Sequence, residues 1–181
     1  MEIIEINISF PLDNDGFFRR ECPFCKREFK ILTNKDERRV LAKKLLDSFM
    51  IESEEPSEDY EKVKPENEVT CPYCGQRAPK TSWWTKEQIE YIKIHYKNYA
   101  NTLINERFIK ELKRSFSGSK FMKFEAKELP LVEPWISPEI DDLEKFELPC
   151  CNQAIKINEN WSGKVYCFFC GFPYDINKRP R

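Results

Sequence analysis

Eight cysteines carry the recognisable chemistry of this 181-residue chain, and six of them fall into three Cys-x-x-Cys pairs. Two of those pairs end on glycine, in Val69-Thr70-Cys71-Pro72-Tyr73-Cys74-Gly75 and in Val165-Tyr166-Cys167-Phe168-Phe169-Cys170-Gly171. Two thiolates separated by two residues form a tight knuckle that aims both sulfurs at one metal ion, while backbone N–H groups donate to the sulfurs. Glycine after the second cysteine supplies the positive φ that such a turn needs. One knuckle gives two ligands, so each needs a second pair, and the sequence offers Cys22-Pro23-Phe24-Cys25 ahead of the first and Cys150-Cys151 ahead of the second.

The residues around the cysteines repeat. Phe18 stands four before Cys22 and Phe146 four before Cys150, while Ile31 stands six after Cys25 and Ile157 six after Cys151. A valine precedes the third cysteine by two positions in both halves. This reads as a duplicated unit in which Cys150 and Cys151 stand for Cys22 and Cys25, with the spacer deleted. The halves differ in what they enclose: 45 residues separate Cys25 from Cys71, against 15 between Cys151 and Cys167.

The elements that position these residues follow from periodicity. Ile4, Ile6, Ile8 and Phe10 alternate as a strand, closed by Pro11 and the turn-rich Asp13-Asn14-Asp15-Gly16. A hairpin over 17–32 carries the first pair at its turn. Asn34 is an N-cap for a helix from 35 to about 50, and an acidic, proline-containing loop over 52–68 completes the insertion inside the first metal unit. Thr85 with Gln88 forms a capping box, opening the strongest helical pattern of the chain. Ile89, Ile92, Tyr96, Tyr99 and Leu103 keep one face, then the phase slips before Ile104, Phe108 and Leu112, which marks Asn101 or Asn105 as a place for a break. Pro130, Pro134 and Pro138 punctuate an acidic connector to the second hairpin, and a basic tail follows at 178–181. The fold class is therefore α+β: two small β-hairpin units joined by a long amphipathic helix, with a helical and acidic insertion in the first. The expected division is 1–79 (insertion 33–68), 80–129 and 130–181.

Composition narrows the classes. With 34% charged residues and no long apolar run, nothing reads as a membrane span, and the N-terminus carries acids where a signal peptide needs bases. A cytoplasmic, reducing setting is expected, in which cysteines favour metal over disulfides. The net charge of −1 hides segregation: residues 17–44 hold ten Lys/Arg against four Asp/Glu, and 80–127 eleven against five, whereas 46–70 and 128–149 are acidic. The single histidine, His95, lies within the helical pattern without a second one to make a metal pair. No phosphate-binding glycine loop or nucleophile elbow is present, and no small-molecule substrate is expected.

Residues 17–79 (less the insertion) and 146–175 resemble the zinc-ribbon superfamily, in which two knuckles on β-hairpins hold one tetrahedral zinc. The resemblance implies two structural zinc ions, one on Cys22, Cys25, Cys71 and Cys74 and the other on Cys150, Cys151, Cys167 and Cys170. Lys26 stands where glycine is expected, and the adjacent Cys150-Cys151 pair reaches one ion only with a strained backbone. Iron uses the same ligand set. A closed four-cysteine site leaves no position for water or substrate, so its role is to fold the unit.

Another class is a thiol-disulfide oxidoreductase, because Cys71-Pro72-Tyr73-Cys74 matches the glutaredoxin-type tetrad. Gly75 and Pro79 oppose the helix which that chemistry needs at the first cysteine, and Cys22-Pro23-Phe24-Cys25 precedes a strand pattern. The favoured reading is a non-catalytic binding module. Its expected partner is nucleic acid, gripped by Arg19, Arg20, Lys26, Arg27, Lys110, Lys113 and Arg114, or a protein machine that acts on it; the alternative is an adaptor or subunit that docks another protein.

Overall fold

The computed structural model describes residues 8–51, 68–116 and 127–176. The chain forms two compact units, one of Met1–Ile8 with Glu90–Trp135, the other of Ser9–Ile89 with Ile136–Arg181. Of the N-terminal strand expected over 4–10, residues 1–7 lie outside the described residues, and 8–10 take no strand conformation. The acidic stretch 52–67 and the tail also lie outside them.

The larger unit contains every cysteine. Strands β1 (Phe17–Glu21) and β2 (Glu28–Leu32) form the first hairpin, and β5 (Glu144–Leu148) and β6 (Gln153–Ile157) the corresponding later one. Helix α1 (Lys35–Ile51) follows β2 and opens on a reciprocal cap, with Asn34 Oδ1 accepting the Glu37 N–H at 2.8 Å and Glu37 Oε2 accepting the Asn34 N–H at 3.2 Å. The glycine-ending knuckles sit on two short ribbons, β3 (Glu68–Thr70) with β4 (Arg77–Pro79), and β7 (Lys164–Tyr166) with β8 (Pro173–Asp175).

The two halves share one sheet. Its order is β1-β2-β6-β5, and β2 meets β6 antiparallel with Lys30 opposite Lys156 and Ile31 opposite Ile155. Phe29-Lys30-Ile31 and Ile155-Lys156-Ile157 are the repeated triplets, so this register places a pseudo-two-fold axis between the two lysines. The knuckles obey the same axis: Thr70 N–H donates to Phe168 O, and Tyr166 N–H to Pro72 O, both at 2.9 Å. A side chain at Gly75 would meet the Tyr166 ring at 3.1 Å, and one at Gly171 would meet Thr70 Oγ1 at 3.2 Å.

The sheet corrects the sequence alignment in one respect. Phe18 pairs with Ile31, but Phe146 pairs with Ile155, the counterpart of Phe29, so Phe146 corresponds to Arg20. A single offset of 126 residues then relates both strands of the hairpins, and no spacer is deleted. Leu148 takes the place of Cys22, and Cys150 takes the place of Phe24 at the tip of the loop. Backbone pairing outweighs the cysteine spacing that suggested the other alignment.

The core fills the space between the shared sheet and the ribbons. Phe29, Trp83 and Phe168 form a buried aromatic triad with ring centroids 5.5–5.8 Å apart, surrounded by Ile31, Val69, Leu148, Ile155 and Val165. A second aromatic group joins Phe10, Phe18 and Trp84. At the axis the facing lysines are buried, with side chains 0% and 3% exposed, and like charges opposite one another would by themselves destabilise the seam. Carboxylates reverse this. Lys156 Nζ lies 2.9 Å from Asp13, 2.6 Å from Asp15 and 2.7 Å from Asp141, and Lys30 Nζ lies 3.3 Å from Asp13 and 3.2 Å from both Glu139 and Asp142. Asp13 touches both lysines, and its other oxygen accepts the N–H groups of Asp15 and Phe17.

The smaller unit is helical. Helix α2 (Lys86–Leu103) begins in the Thr85–Gln88 capping box and runs without a break through a π-helical turn (Ile104–Ile109) into α3 (Lys110–Phe116). The π-turn, closed by Lys110 N–H on Asn105 O, absorbs the phase slip of the apolar face. The two asparagines expected at a break instead bond the segment that follows the helix, Asn105 to both backbone groups of Leu129 and Asn101 to the Pro130 carbonyl, and Asn98 does the same for both backbone groups of Val132.

Burial works to raise the Asp13 pKa, but Lys156, the Phe17 N–H and Lys30 prevail and hold it below the usual carboxylate value. A depressed folded-state pKa gives stability that is full above the unfolded value and lost as pH falls through the folded one. Asp13→Asn is therefore expected to cost about 3 kcal/mol near neutral pH by leaving buried ammonium groups short of a partner. Urea midpoints of both proteins at equal metal content check this, and the difference should shrink as pH falls below the ordinary aspartate value of 3.8.

Candidate metal centres

Each knuckle is a turn whose geometry the backbone sets. Cys22 Sγ accepts the N–H groups of Phe24 and Cys25 at 3.4 Å, and Cys71 Sγ those of Tyr73 and Cys74 at 3.4 and 3.5 Å. The residue after each second cysteine takes a left-handed conformation: Lys26 at φ 59°, Gly75 at 73°, Asn152 at 49° and Gly171 at 79°. Lys26 thus adopts the conformation expected of glycine, despite its Cβ. In the second half the left-handed residue is Asn152, so neither cysteine of the adjacent pair has positive φ. The strain expected at Cys150-Cys151 is displaced onto a residue type that tolerates it.

The sulfurs converge in two groups of four, Cys22, Cys25, Cys71, Cys74 and Cys150, Cys151, Cys167, Cys170, each with all sulfurs within 4.8 Å of one another. Across the hairpins the separations are 3.8 Å for Cys22–Cys74, 3.7 Å for Cys25–Cys71, 3.7 Å for Cys151–Cys167 and 3.4 Å for Cys150–Cys170. A tetrahedral ion with metal–sulfur bonds of about 2.3 Å requires sulfur separations of about 3.8 Å, so both groups fit one. Burial pushes the Cys22, Cys71 and Cys167 thiols up. Cys170 is pulled down to about 7, first by the Phe172 N–H. A dication held by the four sulfurs would favour the thiolate forms and offset the burial of their charge.

The centres differ in exposure. In the first, Cys22 and Cys71 are buried and Cys25 and Cys74 half-buried; in the second, Cys150 and Cys170 are exposed. The register explains the exposure of Cys150, which occupies the loop tip where the first half puts Phe24, itself 54% exposed. The Tyr174 hydroxyl accepts the Cys150 N–H at 3.0 Å, and burial raises that hydroxyl to about 12.

The basic residues have unequal placements. Arg19 is held by Glu28, Glu139 and Asp142. Arg20 is buried over the Trp84 ring at 4.6 Å and donates to the Lys80 carbonyl. Lys26 is exposed, and Arg27 stacks over Trp161 at 4.8 Å. Lys110, Lys113 and Arg114 lie on an exposed face of α3. Sequence reasoning missed Tyr73, whose hydroxyl donates to Glu28 O and accepts the Asn158 N–H, both at 2.9 Å, tying the halves together. Its place inside a Cys-x-x-Cys turn drew attention to the cysteines instead.

No family model, no curated protein and no solved structure matches the chain. Among the described residues no helix is long and apolar enough to cross a membrane. The donor set itself defines the site: two tetrathiolate centres able to hold metal ions.

Because the ligand turns exchange backbone hydrogen bonds, the centres should not titrate independently. Cys170→Ser is expected to remove one metal and to weaken the first centre by roughly tenfold, the equivalent of losing one or two backbone hydrogen bonds. Competition against a chromophoric chelator reads both affinities. Cys150→Ser and Cys151→Ser should each abolish metal at the second centre.

Proposed function

We propose that the protein is a non-catalytic docking module folded around two structural zinc ions. Thiolate-only donors suit zinc, and four protein ligands leave no open coordination position for chemistry. The observation that carries the docking reading is the fate of the basic hairpin: Arg19 and Arg20, which would have headed a phosphate-binding surface, neutralise and pack the interior instead. Meanwhile Phe24, Phe108, Leu131, Trp135 and Phe172 stand exposed.

Nucleic acid is a second reading, carried by the exposed bases Lys110, Lys113 and Arg114 on α3. Metal analysis should give two zinc ions per chain, with chelation abolishing near-ultraviolet circular dichroism; a folded metal-free protein refutes the structural role. Fluorescence anisotropy at low salt with single-stranded and duplex DNA and RNA should show no binding. Binding that weakens by about 0.7–0.9 log units per contacted phosphate as salt rises, and is lost in the triple Lys110→Glu, Lys113→Glu, Arg114→Glu variant, moves the assignment to nucleic acid.

A further inference from the structure

The shared sheet has two equivalent edges, and only one of them is covered. In β1 the main-chain groups that point away from β2 belong to Phe17, Arg19 and Glu21, because Cys22 N–H donates to Arg27 O across the hairpin and the direction alternates along an antiparallel strand. Each of the three is engaged: Asp13 N–H donates to Phe17 O, Gln88 Nε2 to Arg19 O, and Glu21 N–H to Trp83 O. The offset of 126 residues makes Lys145 and Glu147 of β5 the counterparts of Arg19 and Glu21. Strand β5 ends the sheet, and among the described residues nothing bonds the main chain of Lys145 or Glu147 on the side away from β6. Both side chains are exposed and lie 2.7 Å from each other, on the face opposite buried Phe146 and Leu148.

Charged side chains usually keep a bare edge from pairing. Their order here selects one partner instead. A two-fold axis at Phe146 sets an antiparallel copy of β5 alongside, with Lys145 opposite the copy's Glu147 and Glu147 opposite the copy's Lys145. These are the same residues whose N–H and C=O groups point outward, so each opposed pair exchanges both main-chain hydrogen bonds. Sliding the copy by two residues either way sets lysine against lysine or glutamate against glutamate, and sliding it by one takes the outward groups out of register. The internal seam joins equivalent strands in the same antiparallel manner, but there lysine faces lysine and loops must bring in the acids. Strand β5 carries both signs itself.

We propose that two copies of this chain associate edge to edge through β5, joining their four-stranded sheets into one. The association does not depend on whether the module docks protein or nucleic acid. Sedimentation equilibrium of the zinc-loaded full chain should show a monomer–dimer equilibrium with a Kd on the order of 0.1 mM. Lys145→Glu and Glu147→Lys each set like charges against one another in the homodimer, and each should weaken it by about tenfold at unchanged zinc content. An equimolar mixture of the two variants restores opposite charges across the axis and should associate as tightly as the unaltered chain. Amide hydrogen exchange reads the geometry: the Lys145 and Glu147 amides should slow as concentration rises from about 10 μM to about 1 mM, while the Phe146 amide, which faces β6, should not change. A chain that stays monomeric at the highest concentration, variants that dimerise as well as the original, or a mixture no tighter than its components overturns the proposal. So does a dimer in which the Lys145 and Glu147 amides exchange at the monomer's rate.

Discussion

Two ammonium groups facing each other across an antiparallel seam are the constraint on which the rest of the larger unit depends. Lys30 and Lys156 are self-equivalent positions of a duplicated unit, so a symmetric joining of the halves brings like charge onto like charge. Symmetry alone cannot resolve that conflict, and the chain resolves it with acids from two loops. Asp13 and Asp15 arrive from the segment before β1, and Glu139, Asp141 and Asp142 from the segment before β5. The buried network explains why Arg19 turns inward: with five carboxylates gathered around two lysines, a third cation lowers the local charge excess. The acidic connector is thus structural glue for a basic seam.

The metal centres inherit the same symmetry and then depart from it. Three of four positions in each set are related by the axis, whereas the remaining ligand sits in the strand-end position as Cys22 and at the loop tip as Cys150. One centre is enclosed and the other reaches the surface. A second departure arises because the first half carries an insertion where the second has a short turn. The turn supplies Trp161, over which Arg27 stacks, and the insertion begins with helix α1 in its stead.

Much of this was legible in the residues. Cysteine spacing gave both ligand groups, the Thr85–Gln88 and Asn34 caps located both helix starts, and the apolar phase slip foreshadowed the π-turn, because each signal is local. What escaped was long-range. Nothing in the hairpin sequences announces that β2 and β6 pair, since strand edges are set by the whole sheet; the basic run looked solvent-facing because two of Arg19's carboxylates lie some 120 positions away and Arg20 packs on the Trp84 ring, 64 positions away. The two-residue alignment error came from giving ligand spacing more weight than backbone register. Within hydrogen-bonded strands, register wins.

The seam has a consequence for synthesis. Strand β2 finds its partner only when residues around Lys156, 126 positions further on, have been made. At ordinary translation rates this leaves the nascent chain with an open, isoleucine-bearing strand edge for on the order of ten seconds. The four cysteines of the first group all precede Gly75 and are made within that interval, so a metal ion captured there would hold the waiting edge in a folded hairpin rather than leave it open to a neighbouring chain.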